Sequence, residues 1–212
     1  MDFLPEAISQ YAEAHSSPES PLLRQLNRET HLKVLMPRML SGHLQGRVLA
    51  MLSHMLRPMY ILEIGTYTGY SALCLAEGMQ ADGKLITIDI NEEREGLVKR
   101  YIQEAGWQDR IVPMIGKALE LIPSLPAGID LVFIDADKIN NQAYYDLVFD
   151  KVRSGGFILI DNVLWSGKVA TSAKDKDTLA MQAFNDYVQA DERVENVLLP
   201  LRDGLMLVRK KP

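Results

Sequence analysis

From Tyr60 onward the sequence alternates short apolar, β-rich runs with amphipathic stretches, and no other feature restricts the possible folds as strongly. The runs Tyr60 to Ile64, Leu85 to Asp89, Ile111 to Ile115, Ile129 to Asp135 and Phe157 to Asp161 read as strands. Between them, stretches around Tyr70 to Met79, Glu92 to Ala105, Ala118 to Leu121 and Gln142 to Val152 carry helical spacing. Strand, helix, strand in repetition predicts an α/β fold, a Rossmann-like doubly wound parallel sheet with helices on both faces and right-handed crossovers. The rhythm breaks near the C-terminus. After a helix near Leu179 to Ala190, the runs Val194 to Leu199 and Leu205 to Arg209 are separated only by Pro200-Leu201-Arg202-Asp203-Gly204, which predicts an antiparallel hairpin.

Residues 1 to about 56 read as additional helices, interrupted at Ser16-Ser17-Pro18 and Ser20-Pro21. In the last of them Leu44, Val48, Met51, Leu52, Met55 and Leu56 form an apolar stripe that is expected to pack on something. The polar segment Lys168 to Lys176 reads as a mobile loop or lid. A length of 212 residues, with 47% hydrophobic content, suits one domain. We divide it at residue 57, into N-terminal helices (1–56) and a binding core (57–212).

Several function classes are disfavoured at once. A net charge of −5 with scattered Lys and Arg leaves no basic surface for nucleic acid. No apolar run approaches the roughly 20 residues of a membrane span, and Met1-Asp2-Phe3-Leu4-Pro5-Glu6 lacks a signal-peptide pattern. The lone Cys74, inside Leu73-Cys74-Leu75-Ala76, is expected to be a buried thiol in a reducing compartment, and the protein to be cytoplasmic. Small-molecule chemistry is the remaining expectation.

After the first strand comes Glu63-Ile64-Gly65-Thr66-Tyr67-Thr68-Gly69-Tyr70-Ser71, a strand-to-helix turn with two glycines, and Asp89 ends the second strand. An acidic residue there can accept both hydroxyls of a ribose at the crevice of a doubly wound sheet. A dinucleotide site needs G-x-G-x-x-G to admit pyrophosphate, and Tyr67 stands where the second glycine is required. Glu63 adds a negative charge that repels phosphate and attracts an ammonium group. A ligand with a ribose, a cationic amine and no phosphate fits, and S-adenosylmethionine is the common one. A tight turn by itself also accounts for the glycines, as a local turn does for Gly116 before Lys117-Ala118.

The fourth strand ends Phe133-Ile134-Asp135-Ala136-Asp137-Lys138 and the fifth ends Ile158-Leu159-Ile160-Asp161-Asn162. Asp135, Asp161 and Asn162 would present hard oxygen donors suited to Mg²⁺, with Ca²⁺ or Mn²⁺ as alternatives, rather than to zinc. Each Asp taken singly is equally well a helix N-cap, and Lys138 a solvated surface lysine. Beside a divalent cation, however, a lysine becomes a credible base toward a phenolic proton. His15, His31, His43 and His54 show no ligand spacing and receive no role.

On Leu62 to Ser71, Phe133 to Lys138 and Asp161-Asn162-Val163-Leu164-Trp165-Ser166-Gly167, the chain resembles the cation-dependent O-methyltransferases, the family of catechol and caffeoyl-CoA O-methyltransferases. The resemblance runs from about Met39 to the C-terminus. It implies a seven-stranded sheet with its last strand antiparallel, and transfer of a methyl group from S-adenosylmethionine to an oxygen of a small catechol-like acceptor. By the same resemblance Glu63, Gly65, Thr66, Ser71, Asp89, Ile90 and Ala118 line the cofactor site, with Met39, Ser41, Asp135, Asp137 and Tyr144 contributing. Asp135, Asp161 and Asn162 hold the metal and Lys138 is the base. Relatives are often dimers, which assigns dimer and acceptor contacts to the N-terminal helices. The chain departs from the family where an acidic-Glu-Gly-Gln stretch is usual, having Leu44-Gln45-Gly46-Arg47 instead.

Overall fold

Each apolar run becomes a strand of one seven-stranded sheet, ordered β3-β2-β1-β4-β5-β7-β6. The computed structural model describes residues 5–173 and 175–212. The strands are β1 (Tyr60–Ile64), β2 (Lys84–Asp89), β3 (Ile111–Ile115), β4 (Ile129–Ile134), β5 (Val152–Asp161), β6 (Val194–Leu199) and β7 (Leu205–Lys210). The helices are α1 (Glu6–Ala14), α2 (Pro21–Lys33), α3 (Gly42–Leu56), α4 (Tyr70–Ala76), α5 (Glu95–Glu104), α6 (Ala118–Leu121), α7 (Asn141–Phe149) and α8 (Lys176–Ala190). Chain contacts divide into two compact units, one of residues Ala7–Ala118 and one built on Leu119–Pro212. Among the described residues no helix is long and apolar enough to cross a membrane.

In the first unit β1, β2 and β3 are parallel. Every residue of α4 is buried, including Cys74, whose thiol is pushed up to about 12 chiefly by burial. The apolar stripe of α3 is not the face that this chain buries. Its buried face is Gln45, Gly46, Leu49, Ala50 and Ser53, whereas Met51 and Met55 of the apolar stripe are 60% and 74% exposed. Small residues win because α3 approaches α4 closely. A Cβ on Gly46 would lie 2.6 Å from the Tyr70 ring and 2.9 Å from Cys74 Sγ. Ser53 Oγ donates to the Leu75 carbonyl at 2.6 Å, and a Cβ on Gly78 would fall 2.1 Å from the Ser53 backbone.

Ser20 and Pro21, read as a break, form the start of α2: Ser20 Oγ accepts from Leu23 N–H, and Pro21 occupies the first turn, where no N–H is needed. Near the end of α2, Glu29 accepts from Arg100, Tyr101 and Lys33 at 2.8, 2.8 and 3.1 Å. These donors, Arg100 foremost, hold its carboxyl near 2, down from 4.5. A lowered folded-state value contributes stability above the ordinary carboxylate range and loses it as pH falls toward 2. Glu29→Gln is therefore expected to unfold at lower urea than the parent at pH 7, with the gap closing between pH 4.5 and 2. A constant gap would remove the ion cluster as its cause.

In the second unit β4 and β5 are parallel, and β7 pairs antiparallel with both β5 and β6. Leu131, Val132, Phe133 and Ile134 are fully buried, as a strand covered on both faces requires. β5 starts earlier than its apolar run. Val152 pairs with Ile129 and Phe157 with Leu131, so Arg153-Ser154-Gly155-Gly156 is a bulge inside the strand. In the segment read as a loop, Lys168 to Ala170 belong to a 3₁₀ segment and Thr171 and Ser172 to a turn. Trp165–Ala170 is a 3₁₀ segment broken by a kink at Ser166 and Gly167, Gln182 Nε2 holds the Val169 carbonyl at 2.8 Å, and Asp175 caps α8. Lys174, within that expectation, lies outside the described residues, as do Met1 to Leu4.

Candidate active site

The first unit carries the nucleoside-type residues. Glu63 on β1 faces Thr87 across the parallel ladder and is completely buried. Thr87 Oγ1 donates to Glu63 Oε2 at 2.5 Å. Its single proton being spent, Thr87 accepts from Thr66 Oγ1 at 2.5 Å. This relay of hydroxyls fixes Glu63 and the first residues of the glycine turn. Gly65 extends the ladder through its N–H to the Ile88 carbonyl, and Gly69, at φ +87°, starts α4. A residue with a Cβ resists that left-handed geometry.

Asp89 ends β2 with its carboxylate already engaged. Tyr67 N–H donates to Oδ2 at 2.7 Å, and Asn91 N–H and Arg94 Nη2 donate to Oδ1 at 2.8 and 3.2 Å. A carboxylate accepts about four hydrogen bonds. A ribose binding through both hydroxyls must therefore exchange at least one of these, and the half-exposed Arg94 side is the weaker contact. Thr66, Ser71 and Ala118 are buried, while Ile90 is 69% exposed. Ser41 is buried just after the 3₁₀ turn that ends with Met39, itself 54% exposed.

Tyr67 does more than occupy a glycine position. It adopts φ +49°, and its hydroxyl reaches the carbonyls of Leu35 and Met36 at 3.1 and 3.2 Å. Thr30 donates to Thr68 at 3.2 Å, so α2 and the segment after it are both tied to the glycine turn. Thr87, Arg94 and this role of Tyr67 were not legible as site features, except that Thr87 lies two residues before Asp89, on the same face of β2.

The second unit carries the acceptor-type residues. Parallel pairing brings the ends of β4 and β5 side by side. Lys138, on the 3₁₀ turn Lys138–Asn140, donates from Nζ to Asp135 Oδ1 at 3.1 Å and to the Asp161 carbonyl at 3.2 Å. One ammonium thus touches both strand ends. Asp161 is buried, and Asn162 sits at φ +62°. Asp137 accepts from Tyr144 at 2.5 Å and from Asn140. Burial, reinforced by Asp137, pushes the Tyr144 hydroxyl above its ordinary value. Tyr144 therefore serves as a neutral donor that orients Asp137.

A divalent cation, which the resemblance implies, is compatible with these residues. The atoms gathered around the lysine cation are the Asp135 carboxylate and the Asp161 carbonyl, both hard oxygens that accommodate positive charge. Among the described residues no group of three or more His, Cys, Asp or Glu gathers as a metal site. An ion held here depends on two carboxylates completed by the Asn162 amide and solvent.

A family model described as O-methyltransferase matches residues 13–211. The chain belongs to the O-methyltransferase family. This O-methyltransferase is 33% identical to the caffeoyl-CoA O-methyltransferase of Petroselinum crispum, over 97% of the chain and 91% of the relative. It is 36% identical to the catechol O-methyltransferase of Mycobacterium tuberculosis over 68% of the chain and 66% of the relative. Among solved structures, the Bacillus cereus O-methyltransferase in complex with SAH superposes with a TM-score of 0.85 at 28% identity, covering 97% of both chains. The chain is thus an S-adenosylmethionine-dependent O-methyltransferase, with the seven-stranded sheet and terminal hairpin expected of it.

Proposed function

We propose that the whole chain acts as one methyltransferase domain, moving the methyl group of S-adenosylmethionine to a hydroxyl of a catechol-like, vicinal dihydroxy acceptor. Asp135, Asp161 and Asn162 hold a divalent cation and Lys138 is the base. The observation that carries this reading is the Lys138 ammonium between Asp135 and Asp161. A binding module would have no use for a positioned base beside hard oxygen donors.

Asp135, Asp161 and Asn162 would hold the cation, and it would supply Lewis-acid chemistry that makes an acceptor hydroxyl easier to deprotonate. Lys138, as the neutral amine, takes that proton on Nζ. The oxygen then forms a bond to the methyl carbon as the carbon–sulfur bond breaks, its electron pair passing to sulfur and leaving S-adenosylhomocysteine. Glu63, Asp89 and the glycine turn bind the donor, with Met39, Ser41, Gly65, Thr66, Ser71, Ile90, Ala118, Asp135, Asp137 and Tyr144 as further contacts. The protein's contribution is orientation at near-attack distance. Incubation with methyl-labelled S-adenosylmethionine and a panel of free catechols and their CoA thioesters tests the reading, since relatives are named for both. Label on no member of the panel would overturn it.

By calorimetry the protein is expected to bind S-adenosylhomocysteine and not NAD. Asp89→Ala should weaken that binding by about 1.5–3 kcal/mol, the worth of a hydrogen bond to a charged group. Unchanged affinity would remove Asp89 from the site.

The exposed Met51 and Met55, with half-buried Leu44, Val48, Leu52 and Leu56, support a homodimer through the N-terminal helices, in keeping with the family habit. Sedimentation at micromolar concentration should give twice the monomer mass, and Met51→Glu with Met55→Glu should give the monomer. A parental monomer would refute the dimer. We place the protein in the cytoplasm, in keeping with the free thiol of Cys74.

A further inference from the structure

Between Asp161 and Gly167 the backbone takes an unusual path. Asn162, Trp165 and Ser166 adopt φ of +62°, +49° and +56°, left-handed conformations that residues with side chains avoid unless their surroundings impose them. Asn162 is a proposed metal ligand, so whatever imposes this path also places a ligand.

Two elements impose it. The first is the β6–β7 hairpin turn. Val163 N–H donates to the Gly204 carbonyl at 3.2 Å, Leu164 N–H to the Asp203 carbonyl at 2.9 Å, and Ser166 N–H to Asp203 Oδ1 at 2.5 Å. The approach is so close that a Cβ on Gly204 would lie 2.6 Å from Leu164 Cγ. The second is α8. Asn185 Nδ2 donates to the Val163 carbonyl at 2.8 Å, so the buried Val163 is gripped by its N–H on one side and its carbonyl on the other.

Asn185 is a poor choice for packing alone. Its Oδ1 is buried with no hydrogen-bond partner among the described residues, a cost that leucine of similar size would avoid. Among the described residues, the one hydrogen bond of its side chain goes to the residue directly after Asn162. Asp203 is half-buried, and burial pushes its carboxyl upward. It too bears an unfavourable environment while holding the Ser166 N–H.

We propose that Asn185 and Asp203 are positioning residues that lock the Asp161–Gly167 turn in the conformation that presents Asp161 and Asn162 to the cation and the acceptor. This rests on the metal-assisted reading above. Groups that orient ligands from behind typically change metal affinity or activity by about 10–100-fold.

The test uses Asn185→Leu, which keeps volume and loses the donor, Asp203→Ala, which loses the acceptor, and Asp203→Asn, which keeps an acceptor oxygen without charge. Mn²⁺ binding is followed by the electron spin resonance of the free ion, and the KM for a catechol acceptor and S-adenosylhomocysteine affinity are measured alongside. Asn185→Leu and Asp203→Ala are expected to weaken Mn²⁺ binding and raise acceptor KM at least tenfold, with cofactor affinity unchanged, and Asp203→Asn to restore most of both. Parental Mn²⁺ binding and acceptor KM in folded Asn185→Leu and Asp203→Ala would overturn the proposal, as would equal loss of cofactor binding, which marks general unfolding. A parent that methylates catechol yet binds no Mn²⁺ overturns the metal reading alone. The acceptor KM of the same variants then decides the positioning role: a tenfold rise supports it and no rise sinks it.

Discussion

Lys138→Ala is expected to lower kcat for a catechol acceptor by about 10²–10⁴-fold, the usual worth of a positioned general base. The prediction follows from where the ammonium lies. Its Nζ donates to Asp135 and to the Asp161 carbonyl, with the side chain largely shielded from solvent. A base must offer a lone pair toward the acceptor, and the neutral amine has one to offer while its two remaining N–H groups keep both of these bonds. The deficit should shrink at high pH, where the acceptor hydroxyl ionises without help. Lys138→Arg should not rescue turnover, since guanidinium keeps its proton. Stopped-time assays across pH 6–10, with S-adenosylhomocysteine affinity as a control for folding, would check this. A near-parental kcat for folded Lys138→Ala at neutral pH would leave Lys138 as a structural ion-pair partner only.

The fold was legible because parallel strands buried on both faces read as unbroken apolar runs. Leu131 to Ile134 show this, and the acidic residues that end β4 and β5 follow directly from such runs. What misled was size. In α3 the periodic Leu and Met residues outweighed Gly46 and Ser53, yet the small residues set the helix–helix contact because backbone proximity, not apolar bulk, decides it. In the stretch where the chain departs from the family pattern, Gly46 is the position that keeps the pattern's residue, and a Cβ there would collide with the Tyr70 ring and Cys74 Sγ.

Aperiodic hydrogen bonds left no signal. Polar residues from 168 to 176 read as a loop, but the carbonyl of Val169 is claimed by Gln182 and that of Lys168 by Thr171. Glycines at 155 and 156 hid the first part of β5, since a bulge and a turn have the same composition. In the candidate site, the residues that carry charge were readable from strand ends. Their supports were not, because Thr87, Tyr67, Asn185 and Asp203 make one or two side-chain hydrogen bonds each, to partners distant in sequence.

The dependence on a divalent cation separates this reading from a metal-free methyl transfer on the same fold, and its expected effect is the larger. A chelator in excess should abolish transfer to a catechol, and added Mg²⁺ should restore it. Asp161→Ala and Asn162→Ala should each reproduce the chelated state while S-adenosylhomocysteine binding stays near parental, because the residues proposed to bind the donor, Glu63, Asp89 and Thr66, belong to β1, β2 and the turn after β1. Asp135→Ala is expected to be more complex. Its carboxylate is also the partner of Lys138, so its loss frees the ammonium as it removes a ligand. Asp161→Asn distinguishes charge from shape: it keeps an oxygen donor at a buried position and loses the negative charge that a dication requires. If the cation is essential, Asp161→Asn should need far more Mg²⁺ for half-maximal turnover than the parent. Full parental turnover in chelator, by protein shown to be metal-free, would overturn the metal-assisted mechanism and leave the methyltransferase assignment standing.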